Sequence, residues 1–171
     1  LQKDIQELWR RYFVKPFGFF EIDSPDVMPY PVLKASGHVD NFKDPMAECR
    51  SCGAKFRADH LLKDSGIEVS EGLDVSALKE LLVSNKVKCP NCGSVSWEVK
   101  LYLNMFETTI GPYSDSKGFL RPETAQGIFV EFNSLYSINR EQLPMGVAQI
   151  GRGYRNEISP RQGLIRLREF H

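Results

Sequence analysis

The sequence has no excess of either charge. Its 22 basic and 22 acidic side chains cancel, which argues against a protein that grips DNA or RNA by broad electrostatic attraction. Long apolar runs are missing, so no segment reads as a bilayer span. No basic–apolar–small leader opens the chain, so no targeting segment is visible. A cytoplasmic protein with no membrane partner is expected. Neither GxxxxGK[ST] nor GxGxxG occurs, which excludes a P-loop and a dinucleotide fingerprint as a cradle for phosphates. Internal repeats and low-complexity tracts are absent. Lysine is absent beyond Lys117, and the seven basic residues that follow are Arg121, Arg140, Arg152, Arg155, Arg161, Arg166 and Arg168. Arginine is the planar fork suited to bidentate contact with phosphate or carboxylate, whereas lysine acts as a point charge.

Cysteine is scarce, and its placement is informative. All four cysteines fall within 46–100, as Cys49-Arg-Ser-Cys52-Gly53 and Cys89-Pro-Asn-Cys92-Gly93. A two-residue gap lets both thiolates of a knuckle face one ion, and the following glycine permits the tight turn. Two such knuckles complete a tetrahedral four-thiolate site for Zn2+, closed and therefore structural. Two disulfides are the alternative. A CxxC disulfide is a redox device, however, and a pair of them is out of place without a secretion leader.

At 171 residues the chain can bury one core, alone or with an insert. Leu1, Ile5, Leu8, Trp9, Tyr12 and Phe13 fall at helical spacing, and Pro16 and Gly18 end that helix. GFFEID (18–23) reads as a short strand, and the proline-rich stretch after it as an extended, stiff connection. LDVSALKELLVSNK (73–86) reads as a helix with Asp74 and Ser76 as capping candidates. SVSWEVKLYLNMF (94–106) alternates as a half-buried strand with Val95, Trp97, Val99, Leu101 and Leu103 on one face. Pro122 suits the first turn of a helix that carries Ala125, Ile128, Phe129, Phe132, Leu135 and Tyr136 on its apolar side. MGVAQIGRGYRNE (145–157) and LIRLREF (164–170) read as the two arms of an antiparallel hairpin.

On the first arm Gln149, Gly151, Gly153, Arg155 and Glu157 share a face. Two glycines in succession lay a bare floor, which marks close approach of a ligand or another backbone. Arg155 and Glu157 stand at its end, and Arg166, Arg168 and Phe170 project from the return arm. Guanidiniums for phosphates, a carboxylate for an amino group and an aromatic for a base suit a nucleoside triphosphate. From spacing alone, a salt-bridged exposed hairpin fits as well.

YRNE (154–157) with LREF (167–170) resembles motif 2 of the class II aminoacyl-tRNA synthetases, and GFFEIDSP (18–25) resembles their motif 1. RPETAQGIF (121–129), AQIGRGYRNEISPR (148–161), VLKASGHVD (32–40), FRADHLL (56–62) and NMFETTIGP (104–112) look like the homodimeric glycyl-tRNA synthetases in particular. The resemblance implies an α+β fold: a class II synthetase-type antiparallel sheet flanked by helices, with an inserted four-cysteine zinc ribbon. Residues 1–45 would hold motif 1 and the dimer interface, 46–100 the ribbon, and 101–171 the motif 2 part of the catalytic core. It implies ATP-dependent activation of glycine and its transfer to tRNA(Gly), with Mg2+ accompanying ATP.

By the same resemblance Arg155 would hold the α-phosphate and Glu157 the adenine amino group. Asn156, Arg166, Leu167, Arg168 and Phe170 would line the rest of the ATP site. Glu123 would take the glycine ammonium, with Arg57 and Phe170 on the amino-acid side. Motif 3 and the anticodon-binding domain have no counterpart here, so part of a catalytic domain is expected. A non-catalytic class II-like paralogue that binds nucleic acid or protein is the alternative.

Overall fold

The apolar stripe that opens the sequence does form a helix, and that helix buries none of its residues. A computed structural model describes residues 1–70, 72–112, 116–158 and 166–171. In chain order the elements are α1 (Gln2–Trp9), β1 (Phe20–Ile22), β2 (Val27–Pro29), α2 (Tyr30–Ala35), α3 (His38–Asn41), β3 (Lys43–Cys49), β4 (Lys55–Arg57) and α4 (Ala58–Asp64). They continue with α5 (Val75–Ser84), β5 (Trp97–Leu103), β6 (Glu107–Thr109), β7 (Lys117–Leu120), α6 (Ala125–Ile138), β8 (Val147–Gln149), β9 (Gly153–Tyr154) and β10 (Glu169–Phe170). The architecture is α+β. Chain contacts divide it into two units: Leu1–Asn41 with Met105–His171, and Phe42–Asn104. Among the described residues no helix is long and apolar enough to cross a membrane.

In the first unit α1 runs on through a π turn (Arg10–Val14) and a short 3-10 turn that ends at Gly18. β1 pairs in parallel with β8, placing Ile22 opposite Gln149. β2, β7 and β6 form an antiparallel sheet in that order. The stretch after β1 is extended only as far as Pro29. From Tyr30 the chain turns into α2, because Pro29 sits in the extended conformation of a cap and the next proline falls in the first turn, where no amide donor is needed.

Helix α6 starts at Ala125, three residues after Pro122, and it buries only part of the face that its spacing suggests: Leu135 is inside and Ala125, Ile128 and Tyr136 are half-buried. Gln126, Gly127 and Leu135 are buried, while Phe129 is 77% exposed. The helix turns its narrow side inward because Ser24 lies so close that a Cβ on residue 127 would fall 1.9 Å from its Oγ. Phe132 and Tyr136 stack on each other at the surface side.

The second unit has the larger apolar core. β3 is the centre of an antiparallel sheet, with β4 on one side and β5 on the other. Leu61 and Leu62 of α4 and Leu78 and Leu82 of α5 pack on Ala47, Trp97 and Val99. Each fully buried leucine of this kind contributes roughly 2 kcal/mol over an exposed one. Trp97 Nε1 donates to Val87 O at 2.9 Å, so the indole is buried without an orphaned donor. Asp74 caps α5 by accepting from Ala77 N at 2.7 Å, as its position before the apolar run suggests. The alternation of the last strand holds for Trp97 and Val99 and then fails: Leu101 is 57% exposed. The apolar cluster of this unit takes in Trp97 and Val99 from the strand and ends there, while Val95, before the strand begins, is 44% exposed.

Candidate active site and metal centre

The first unit gathers its candidate residues around a side chain that the sequence reading did not single out. Arg121 follows β7 and is 1% exposed. Its Nη1 donates to Ser24 O at 2.7 Å and Ser24 Oγ at 3.0 Å, its Nε to Arg152 O at 2.7 Å, and its Nη2 lies 2.8 Å from Asp26 Oδ1. The main chain repeats the tie: Arg121 N donates to Asp26 O and Tyr154 N to Arg121 O. A buried charge is tolerated only when paired and fully bonded, and Arg121 meets that condition. It binds the segment after β1, the approach to β2 and the stretch 152–154 together.

This arginine also explains why the expected long strand over 145–157 is broken. β8 ends at Gln149 and β9 begins at Gly153. Between them the Arg152 carbonyl is taken by the guanidinium instead of a neighbouring strand. β8 pairs with β1, while β9 pairs with β10, so the two halves serve different partners. Residues 164 and 165 of the expected return arm lie outside the described residues.

The glycine floor is real but not bare. A Cβ on Gly151 would fall 2.3 Å from Arg121 Nη2, and one on Gly153 2.8 Å from the Phe170 ring. The close approach that glycine permits is therefore made by the protein's own arginine and phenylalanine. Gly151→Ala is expected to displace the buried guanidinium and cost about 1–3 kcal/mol, as overpacking does. A melting curve indistinguishable from the parent's would refute this.

Beside that floor lies a cavity of about 710 Å³, within the size range of small-ligand sites. Ile5 and Trp9 of α1 line it together with Glu123, Gly151, Gly153 and Phe170. The Arg155 guanidinium lies over the Phe170 ring, 5.2 Å from its centre. Glu123 carries a local network on one oxygen: Gln126 Nε2 donates to Oε1 at 2.8 Å, and His38 Nε2 approaches the same atom at 3.4 Å.

Past Arg155 the pleat ends. Glu157 N donates to Arg155 O at 2.7 Å, which closes a turn over Asn156, so Arg155 and Glu157 are not successive residues on one strand face. Glu157 is instead held by Arg166, whose Nη2 and Nε donate to Oε2 at 2.7 and 3.1 Å. Arg168 Nε donates to Glu157 O at 2.9 Å. Leu167 is on the surface. Arg57 lies in the other unit, where its guanidinium is bonded by Asp59 and approached by Asp44 at 3.0 Å. Burial raises the Asp59 carboxyl's pKa, but the Arg57 guanidinium outweighs it and holds the group below its usual range.

The second unit brings the four cysteines together. The Cys49, Cys52, Cys89 and Cys92 sulfurs all lie within 4.8 Å of one another, with Cys49–Cys92 at 3.6 Å and Cys52–Cys89 at 3.7 Å. Four sulfurs each about 2.3 Å from a central ion stand about 3.8 Å apart, so this donor set fits a metal. All four are free thiols, and the disulfide alternative is not what the structure adopts.

The knuckles are copies of each other. Gly53 N donates to Cys49 O and Gly93 N to Cys89 O, both at 2.8 Å, with φ of +70° and +75° at the two glycines. Nothing crowds either one, so glycine is there for its left-handed backbone. Hydrogen bonds from the Asn91 side chain and the Ala54 amide bring the Cys52 thiol down to about 6. An amide at Ser94 lowers Cys92, but bonding to Cys52 and loss of solvent outweigh it and raise that thiol to about 12.

Residues 109–171 match the family model described as "tRNA synthetase class II core domain (G, H, P, S and T)". That match takes in the 63 residues from 109 to the end of the 171, and it is what this part of the chain is similar to. Over nearly its whole length the chain is similar to part of the glycine–tRNA ligases. It is 51% identical to the glycine–tRNA ligase of Methanococcus maripaludis, covering 99% of this chain and 30% of that one. With those of Thermococcus sibiricus and Pyrococcus abyssi the identities are 53% and 52%, at the same coverage. The chain thus spans about 30% of the length of the relatives it matches. Among solved structures, the RNA-binding domain of threonyl-tRNA synthetase from Cryptosporidium parvum Iowa II is similar at TM-score 0.49 and 19% identity, covering 99% of this chain and 26% of that one. So slight a likeness settles no detail of the fold.

Proposed function

We propose that this chain supplies the ATP- and glycine-binding part of a glycine–tRNA ligase, which activates glycine as its adenylate and transfers it to tRNA(Gly). The observation that carries the reading is the cavity edged by the Glu123 carboxylate, the two glycines and Phe170, with Arg155 stacked on that ring. Glu123 anchors the substrate ammonium. Arg155 holds the ATP α-phosphate. Glu157 receives the adenine amino group through Oε1, since both bonds from Arg166 fall on Oε2. Asn156, Leu167, Arg168 and Phe170 complete the nucleotide side.

The glycine carboxylate is ionised at neutral pH and needs no general base. Its oxygen attacks the α-phosphorus in line, a new P–O bond forms, and the bond to pyrophosphate breaks. The protein must orient two anions and stabilise charge on the phosphoryl oxygens, which a fixed guanidinium does well. Mg2+ bound with ATP offsets the remaining phosphate charge.

Zn2+ is the ion proposed for Cys49, Cys52, Cys89 and Cys92, with a structural role because four thiolates leave no open position. Homodimerisation through the first helix and the turn that continues it is supported by their exposed apolar side chains, Leu8, Tyr12 and Phe13. Cytoplasmic location accords with the activity. Glycine-dependent ATP–pyrophosphate exchange by the complete protein tests the reading; exchange no faster with glycine than without it would refute it.

A further inference from the structure

The sequence SGHVD contributes a histidine to the site that the nucleotide-based reading leaves unused. His38 opens α3, just past the end of α2, and its imidazole is largely buried, with 18% of the side chain exposed. One ring nitrogen, Nδ1, lies 2.9 Å from Ser36 Oγ. The other, Nε2, lies 3.4 Å from Glu123 Oε1. Ser36 is itself fixed, as the residue that caps α2, with its Oγ within 3.2 Å of Leu33 O. A rigid path therefore runs from the end of one helix through an imidazole to the carboxylate.

The geometry points to His38 as the positioning residue of Glu123, a role that rests on the reading of Glu123 as the anchor for the glycine ammonium. A carboxylate on a flexible side chain spends rotamer entropy each time it engages a ligand, and a ligand's affinity falls by that amount. Here the imidazole and Gln126 both approach Oε1 from the protein side. Two polar neighbours on one oxygen fix the rotation of the group, and among the described residues none bonds Oε2. That oxygen is left to meet an ammonium. In the tautomer with its proton on Nε2, where the Ser36 hydroxyl turns its hydrogen from Leu33 O to Nδ1, His38 donates toward the carboxylate. Glutamine at this position can carry an amide NH2 to the same place, whereas asparagine is one methylene too short.

The experiment is steady-state pyrophosphate exchange by the complete protein, with glycine and ATP varied separately. His38→Asn and His38→Ala are expected to raise the glycine KM about tenfold, a typical loss for a weakened bond to a charged group. Under the proposal the ATP KM is unchanged and His38→Gln restores most of the glycine affinity. Glu123→Gln is run beside them. If it raises the glycine KM while none of the His38 variants does, the positioning role is overturned and the Glu123 reading stands. If Glu123→Gln leaves the glycine KM unchanged, the anchor reading falls and the proposal with it. Equal loss in His38→Asn and His38→Gln, or an ATP KM that rises in parallel, marks His38 as a general packing residue and also overturns the proposal. Asparagine and glutamine differ by one methylene, so the comparison survives even if His38→Ala fails to fold.

Discussion

Arg155→Ala is expected to slow glycine-dependent pyrophosphate exchange by about a hundred- to a thousandfold, the usual cost of losing a preorganised donor to developing charge. Most of the loss should appear in kcat, because the phosphoryl oxygens gain charge on the way to the transition state. The variant should still fold, because Arg155 is only half-buried and the Phe170 ring it lies over is itself partly exposed. Arg155→Lys is expected to recover little: an ammonium cannot lie flat over Phe170 and also present a fork to a phosphate. Circular dichroism and exchange kinetics on the same preparation separate folding from chemistry. A folded Arg155→Ala protein within threefold of the parent's kcat would remove Arg155 from the mechanism.

The second large effect belongs to the cysteine cluster. Cys89→Ser is expected to cost the protein its metal and most of the stability of the 42–104 unit, since binding of a structural zinc is worth on the order of 10 kcal/mol to a small module. The cause is visible in the core: Cys49 and Cys89 are both buried within the apolar cluster that includes Leu78, Leu82 and Trp97, so the ligands and the core are one structure. Metal analysis and thermal unfolding with and without a chelator provide the readout, with about one zinc per chain expected in the parent. A variant that keeps its metal, or that loses it and melts unchanged, would refute the proposed centre. A folded, metal-free variant without activity would show that the ion is more than structural.

The features legible in the sequence are those decided over a few residues. Asp74 caps its helix because the bond to Ala77 spans three positions. The cysteine knuckles meet because each carries its own turn, and the two were already matched as strings. The first helix and the strand at Phe20–Ile22 follow from local period and from Pro16 and Gly18. What the sequence concealed depends on distant partners. The strand over 145–157 breaks because of Arg121, which reaches Arg152 across 31 positions of chain. Helix α6 turns its aromatic side outward because Ser24 demands a residue without a side chain at Gly127. Arg155 and Glu157 part because a turn closes over Asn156, and nothing in the alternating pattern announces it. His38 went unnoticed because its meaning lies in Glu123, far away in sequence.

The two ends of the Phe42–Asn104 segment meet. Asn104 N donates to Phe42 O at 3.1 Å, and Lys43 pairs with Leu103 at the first rung of the sheet. An excursion that returns to its starting point imposes no span on the polypeptide that hosts it. A tight reverse turn between Asn41 and Met105 can stand in for everything the excursion carries, metal knuckles included. Such a piece is free to be gained, lost or exchanged between lineages while the ligand-facing residues of the host keep their spacing.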